Sequence, residues 1–173
     1  TAINLGTGRT AVAVSAGYQH TCAILDNGEA KCWGNDNYGG LGNGAGTYNL
    51  NAPSSTPIDL GSGRTAVAVA TGYYHTCAIL DNGDLKCWGY DSDGQLGDGG
   101  PYSAGNGAPS SNAINLGTGR TAVAVSAGYY HTCTTVDNRD RKRRRYGRQG
   151  QSGNGGTNTD NNAPSSTAIN LAT

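Results

Sequence analysis

The phrase GYQHTCAILDNGEAKCWG occupies residues 17–34, and a near-copy, GYYHTCAILDNGDLKCWG, occupies residues 72–89. A third start, GYYHTCTTVDN, stands at 128–138 and then departs from the pattern. His20, His75 and His131 mark the period, at spacings of 55 and 56. Such a period means that each unit is one small piece of structure, unable to cover its own apolar face and dependent on a neighbour of the same kind.

The full unit reads roughly [AP]-I-[ND]-L-G-[ST]-G-R-T-A-V-A-V-x-x-G-Y-[YQ]-H-T-C, then A-I-L-D-N-G-[ED]-x-K-C-W-G. A Gly-rich stretch such as YDSDGQLGDGG and an N-x-A-P-S-S segment follow. Three copies fill the chain, at 1–56, 57–112 and 113–173. Each offers four short strand candidates, in the second copy PIDL (57–60), TAVAVAT (65–71), HTCAIL (75–80) and DLKCWG (84–89). The SGR segment, the GY pair and DNG are the breaks between them. Four antiparallel strands in such a unit make one blade of a propeller. A linear β-solenoid would stack similar units, but from shorter repeats. The expected fold is all-β: propeller blades, three four-stranded antiparallel repeats, forming part of a propeller or one completed by oligomerisation.

Composition agrees with a chain of many reversals, since 29 residues are Gly and the apolar side chains are mainly Ala, Val, Ile and Leu, with 10 Tyr and 2 Trp. No apolar run reaches the roughly 18 residues that cross a membrane. The chain opens at Thr1 and contains no Met, which reads as a processed form or an excised segment whose export signal is gone. The formal net charge of zero is unevenly spread: residues 139–148 hold seven of the twelve Lys and Arg. Elsewhere five basic residues face eleven acidic ones, a net of −6. Most of the chain is therefore a poor candidate for a polyanion binder, and nucleic acid is not the expected partner.

The hairpin accounts for four of the five cysteines. If Asp26, Asn27 and Gly28 form a three-residue loop with Gly28 at positive φ, Leu25 opposes Glu29 and Cys22 lies across from Cys32. The same arithmetic places Cys77 across from Cys87, at separations a disulfide needs. Two disulfides within the blades imply an oxidising compartment, hence an extracellular or cell-surface location. The alternative is two pairs of buried reduced thiols. Zinc fits less well, because C-x9-C lacks the tight knuckle and supplies only two ligands.

The stretch HTCAILDNGDLKCWGYDSDGQLGDG resembles the repeat of the regulator of chromosome condensation family, and its Cys-bearing form is similar to bacterial alpha-tubulin-suppressor-like members. Gly72, His75, Gly83, Trp88, Gly89, Gly94, Gln95, Leu96 and Gly97 carry the resemblance in the second copy; in the first, Gly40 replaces Gln. The resemblance implies propeller blades, in rings that usually hold about seven. Three blades cannot close such a ring, so the open flanks look for company, from a longer propeller or from other chains. TAINL at 1–5 recurs at 167–171. On that ground the C-terminal AINL segment is expected to complete a blade of a neighbouring molecule, giving a ring or filament.

The third copy is altered over a contiguous block. Aligned without gaps on the second copy, Arg143 falls where Cys87 sits, Arg144 under Trp88 and Arg145 under Gly89; Gly150, Gln151 and Gly153 return to register. A block that changes residues and keeps its length has the form of two compensating frameshifts. Its functional rival is a patch of Arg139, Arg141, Lys142, Arg143, Arg144, Arg145 and Arg148 for nucleic acid, heparin-like glycans or anionic surfaces. Cys133 is left a thiol outside any disulfide of its blade, or an intermolecular link.

No residue pattern announces a reaction. Three equivalent histidines fit a repeated contact better than a catalytic group, which is needed once. G-x-S-x-G, P-loop and Rossmann glycine patterns are absent. Asp91, Asp93 and Asp98 make a polar turn rather than a calcium loop. Trp33 and Trp88 fit packing between blades. The expectation is a non-enzymatic extracellular protein without cofactor or metal, a structural or adhesive scaffold partnered by copies of itself. The alternative is a module binding a protein or polyanion through the variable loops 35–52, 90–112 and 146–163.

Overall fold

The computed structural model describes residues 2–44, 49–100, 105, 107–137 and 141–145, the last of these by backbone alone. Among the described residues, nine strands form three antiparallel sheets. The first holds β1 (Ala11–Ala16), β2 (His20–Leu25) and β3 (Ala30–Gly34); the second holds β4 (Ala66–Thr71), β5 (His75–Leu80) and β6 (Leu85–Gly89). The third holds β7 (Ala122–Ala127), β8 (His131–Val136) and β9 (Arg141–Arg145). Each sheet is a meander with its strands in chain order.

The DNG hairpin has the geometry its residues dictate. Gly28 sits at φ 80°, Leu25 N–H donates to the Glu29 carbonyl at 2.8 Å, and the Gly28 N–H donates back to Leu25 at 2.8 Å. Any side chain at Gly28 would run into Thr65, which leads into β4, so this glycine serves both the turn and the approach of the next blade. The register then places Cys22 opposite Cys32 and Cys77 opposite Cys87.

Each sheet has three strands where four are expected. The 57–60 and 113–116 segments lie outside the ladders, tied to the edge of the sheet before them by Ile58 N–H to the Ala30 carbonyl (2.9 Å) and Ile114 N–H to the Leu85 carbonyl (2.8 Å). Their alternate side chains explain the difference. Ile58 and Leu60 are buried in the space between the first and second sheets, and Ile114 and Leu116 between the second and third. The segments are held by apolar burial, roughly 1.5–3 kcal/mol per side chain, rather than by a run of backbone bonds.

The core consists of the two layers between sheets. Cys22, Ile24, Cys32 and Leu41 from the first unit meet Ala66, Ala78, Leu80 and Trp88 from the second. Cys77, Ile79, Cys87 and Leu96 then meet Ala122 and Val136. Odd and even residues of one strand therefore face opposite neighbours, as pleated strands require. This is the stacking of propeller blades.

The altered block of the third copy still pairs. β9 runs against β8 with Cys133 opposite Arg143, the register that joins Cys77 to Cys87 in the second sheet. Ladder bonds are made by backbone groups, so the pairing survives the change of nearly every side chain. Arg139 and Arg148 lie outside the described residues, as does the C-terminal AINL segment.

Candidate functional site

Consecutive blades are joined by a repeated polar contact. His20 opens β2, and its Nε2 lies 2.9 Å from the Thr76 hydroxyl of the second sheet. That hydroxyl donates its single proton to the Gly40 carbonyl at 2.8 Å, so it accepts from His20, whose proton is therefore on Nε2. The second interface repeats this: His75 Nε2 is 3.0 Å from the Thr132 hydroxyl, which donates to the Gln95 carbonyl at 2.9 Å. Trp88 adds its indole N–H to the Gly40 carbonyl at 3.0 Å and is fully buried.

Burial fixes the charge of these imidazoles. Removal from water lowers the pKa of His20 to about 4. It lowers that of His75 to about 3, with the nearby imidazoles of His20 and His131 adding to the effect. Both are neutral near pH 7, and the bond to threonine places the one remaining ring proton on Nε2. The glycine before each Tyr follows from the same packing: a side chain on Gly72 would occupy the space of the His75 ring and the Gly128 carbonyl.

Other positions prominent in the sequence fall into place around this contact. The Cys22–Cys32 and Cys77–Cys87 disulfides, with Cα separations of 4.1 and 4.0 Å, lie in the interblade layers beside the threonines. Cys22 Sγ is 3.8 Å from the Thr76 hydroxyl and Cys77 Sγ 3.6 Å from that of Thr132. Cys133 is half-buried and outside both bridges. Arg141, Lys142, Arg143, Arg144 and Arg145 form β9. Asp91 uses one carboxylate oxygen to accept the Leu96 N–H at 2.9 Å, and Asp36 does the same for Leu41 at 3.1 Å. These carboxylates shape loops, and no cluster of metal-binding side chains occurs among the described residues.

The tyrosines form a surface that reading for chemistry overlooks. The turns between the first and second strands are joined across blades, Tyr18 N–H to the Gly72 carbonyl (3.3 Å) and Tyr73 N–H to the Tyr129 carbonyl (3.4 Å). Their rings stack accordingly, with centroids 4.2 Å apart for Tyr18 and Tyr73 and 3.7 Å for Tyr73 and Tyr129. Tyr74 and Tyr130 stand edge-on to this column. From the variable loops, Tyr38 reaches Tyr74 at 4.6 Å and Tyr90 reaches Tyr130 at 6.3 Å. Tyr18 is 58% and Tyr129 51% exposed. A shallow groove of about 240 Å³ runs along the column, floored by Gly17, Gly72 and Gly128. The hydrogen bond to Tyr129 pushes the Tyr73 phenol up to about 12. The GY pair at each repeat is the signal visible in the sequence. What the period does not reveal is that the turns stack closely enough for the rings to touch.

Residues 11–39 and 66–95 match the Regulator of chromosome condensation (RCC1) repeat, and a second description of that repeat matches residues 27–79. The E3 ubiquitin-protein ligase HERC2 of Homo sapiens is 32% identical over 93 residues, covering 54% of this chain and 2% of that protein. The Ultraviolet-B receptor UVR8 of Arabidopsis thaliana is 31% identical over 84 residues, covering 49% of this chain and 18% of the receptor. The chain thus spans a small part of the length of these relatives. Prp20p from Saccharomyces cerevisiae superposes with a TM-score of 0.78 at 19% identity, over 92% of this chain and 38% of that structure, a likeness of fold. Repeat match, strand order and stacked three-stranded blades agree: residues 11–95 are repeats of the regulator of chromosome condensation family.

Proposed function

We propose that the chain is a non-enzymatic, protein-binding propeller module whose contact surface is the tyrosine face. The observation that carries this reading is the column of Tyr18, Tyr73 and Tyr129, stacked yet half-exposed at its ends. Tyrosine is favoured in protein interfaces because it brings a large apolar ring, a polar tip and few rotatable bonds. Rings already stacked lose little further freedom when a partner covers them. Tyr38 and Tyr90 belong to the variable loops and extend the same face, so the surface combines a constant column with a changeable rim. The two disulfides support placement outside the cytoplasm, at the cell surface or beyond.

The test is a comparison of the intact chain with a Tyr18→Ser, Tyr129→Ser variant, both sites being exposed enough to leave the fold alone. Baits are crosslinked in the protein's native extracellular fluid and bound proteins are quantified. The reading expects specific partners to fall by about tenfold or more, one such factor corresponding to ~1.4 kcal/mol of contact. Equal capture by both baits contradicts it. A second reading, an extracellular structural scaffold assembled through blade faces, rests on the apolar face that the first sheet leaves uncovered.

A further inference from the structure

The three stacked tyrosines are also placed to react with one another. Tyr18, Tyr73 and Tyr129 come from successive blades, and their rings lie face to face, with interplanar angles of 25° for Tyr18 and Tyr73 and 24° for Tyr73 and Tyr129. The phenol of Tyr73 is hydrogen-bonded to those of Tyr18 and Tyr129. The rings therefore point the same way, and the carbons flanking each hydroxyl are brought over one another. The main chain holds them there. A Cβ on Gly17 would strike the Gly72 carbonyl, and one on Gly72 the Gly128 carbonyl, so the turns approach as closely as backbones allow. Neighbouring pairs lack this geometry, since Tyr73 meets Tyr74 at 62° and Tyr129 meets Tyr130 at 81°.

A phenol that gives up one electron and one proton becomes a phenoxyl radical, with spin density on the carbons beside the oxygen. Two such radicals join at those carbons. The new bond forms along the normal to each ring, which is the direction in which stacked rings face each other. The two ring hydrogens at the joined carbons then leave as protons, both oxygens are protonated again, and a biphenol results. In balance, two phenols and one hydrogen peroxide give one biphenol and two waters, the peroxide being reduced by the two electrons the phenols lose. Rings held in contact replace a chance encounter of two radicals by a standing one, at an effective concentration far above that of separate molecules. Tyr18 and Tyr129 are exposed and Tyr73 is half-buried, so an oxidant reaches the outer two directly and Tyr73 by electron transfer through the ring contact.

We infer that the tyrosine column is an oxidative cross-linking site, at which a haem peroxidase working with hydrogen peroxide joins Tyr73 to Tyr129 of the next blade by a carbon–carbon bond. Tyr129 is favoured over Tyr18 because its ring is nearer, 3.7 against 4.2 Å. The link does what neither disulfide does. Cys22–Cys32 and Cys77–Cys87 each close a hairpin inside one blade, whereas this bond ties one blade to another. It involves no binding partner and does not rest on the reading of the face as a protein-binding surface.

The test treats the purified full chain, disulfides intact and in dilute solution, with a plant haem peroxidase and hydrogen peroxide. The intact mass should fall by two hydrogens while the chain stays monomeric on a denaturing gel, and the yield should not change on a further tenfold or so dilution, as an intramolecular step requires. After reduction, alkylation and trypsin, the peptide 65–86 should be found joined to 121–139, with fragment ions placing the bond on Tyr73 and Tyr129. Tyr73→Phe keeps the ring but has no phenol, and should lower the intramolecular product at least about tenfold. Tyr129→Phe should move the link to Tyr18 and Tyr73, joining 10–31 to 65–86, so the two variants check each other should one of them fold poorly. Products formed only between molecules overturn the proposal. So does an intramolecular link that persists undiminished in Tyr73→Phe, since the column would then not be its site.

Discussion

Reduction of Cys22–Cys32 and Cys77–Cys87 lowers the stability of the chain by about 5–6 kcal/mol, because each bridge closes a loop with a sequence separation of 10 and a loop of that size contributes ~3 kcal/mol. Small domains are stable by only about 5–15 kcal/mol, so the loss is comparable to the whole. Thermal unfolding followed by circular dichroism, with and without a phosphine reductant, should show the midpoint falling by about 10–20 °C. The effect exceeds what the loops alone would give if the released thiols disturb the interblade layers in which both bridges lie. Identical melts after full reduction, verified by thiol alkylation, contradict this role for the bridges.

Acidification should produce a loss of similar size. The folded pKa of His20 is about 4 and that of His75 about 3, both depressed by burial, against an unfolded value of ~6.5. The unfolded chain therefore binds protons first as pH falls. The stabilisation is fully present above pH ~6.5 and is lost as pH drops toward the folded values. Each tenfold difference in proton affinity between the folded and unfolded chain costs on the order of 1.4 kcal/mol. Urea midpoints measured from pH 7.5 to 4 should decline throughout that window, and a His20→Gln, His75→Gln variant should start lower and decline less. A flat profile above pH 5 would show that these imidazoles are not buried in the neutral form.

Much of this architecture was legible in the chain itself. The period of the histidines, the DNG turn and the offset of Cys22 from Cys32 dictate a hairpin register, because a two-residue side-chain repeat leaves no freedom once the turn is placed. The role of His20 and His75 as a repeated contact was legible for the same reason. Less could be read where side-chain burial competes with backbone pairing. The PIDL segment has the composition of a strand, but Ile58 and Leu60 are drawn into the interblade layer and the segment makes no ladder. The Arg block has the composition of a broken strand, yet Arg141–Arg145 pairs in register. The tyrosine face was hidden for a third reason: stacking between Tyr18, Tyr73 and Tyr129 depends on the spacing of blades, which is set by packing among residues far apart in sequence.

The claim on which all of this rests is that the three sheets are successive blades, each tied to the next by an imidazole, a threonine hydroxyl and a loop carbonyl. A double-mutant cycle with His20→Ala and Thr76→Val, read by equilibrium urea unfolding, measures that tie directly, because the two residues are 56 apart in sequence and 2.9 Å apart in the fold. The account predicts a coupling energy of about 1–2 kcal/mol. Additivity within ~0.3 kcal/mol, as for residues that do not touch, would contradict it.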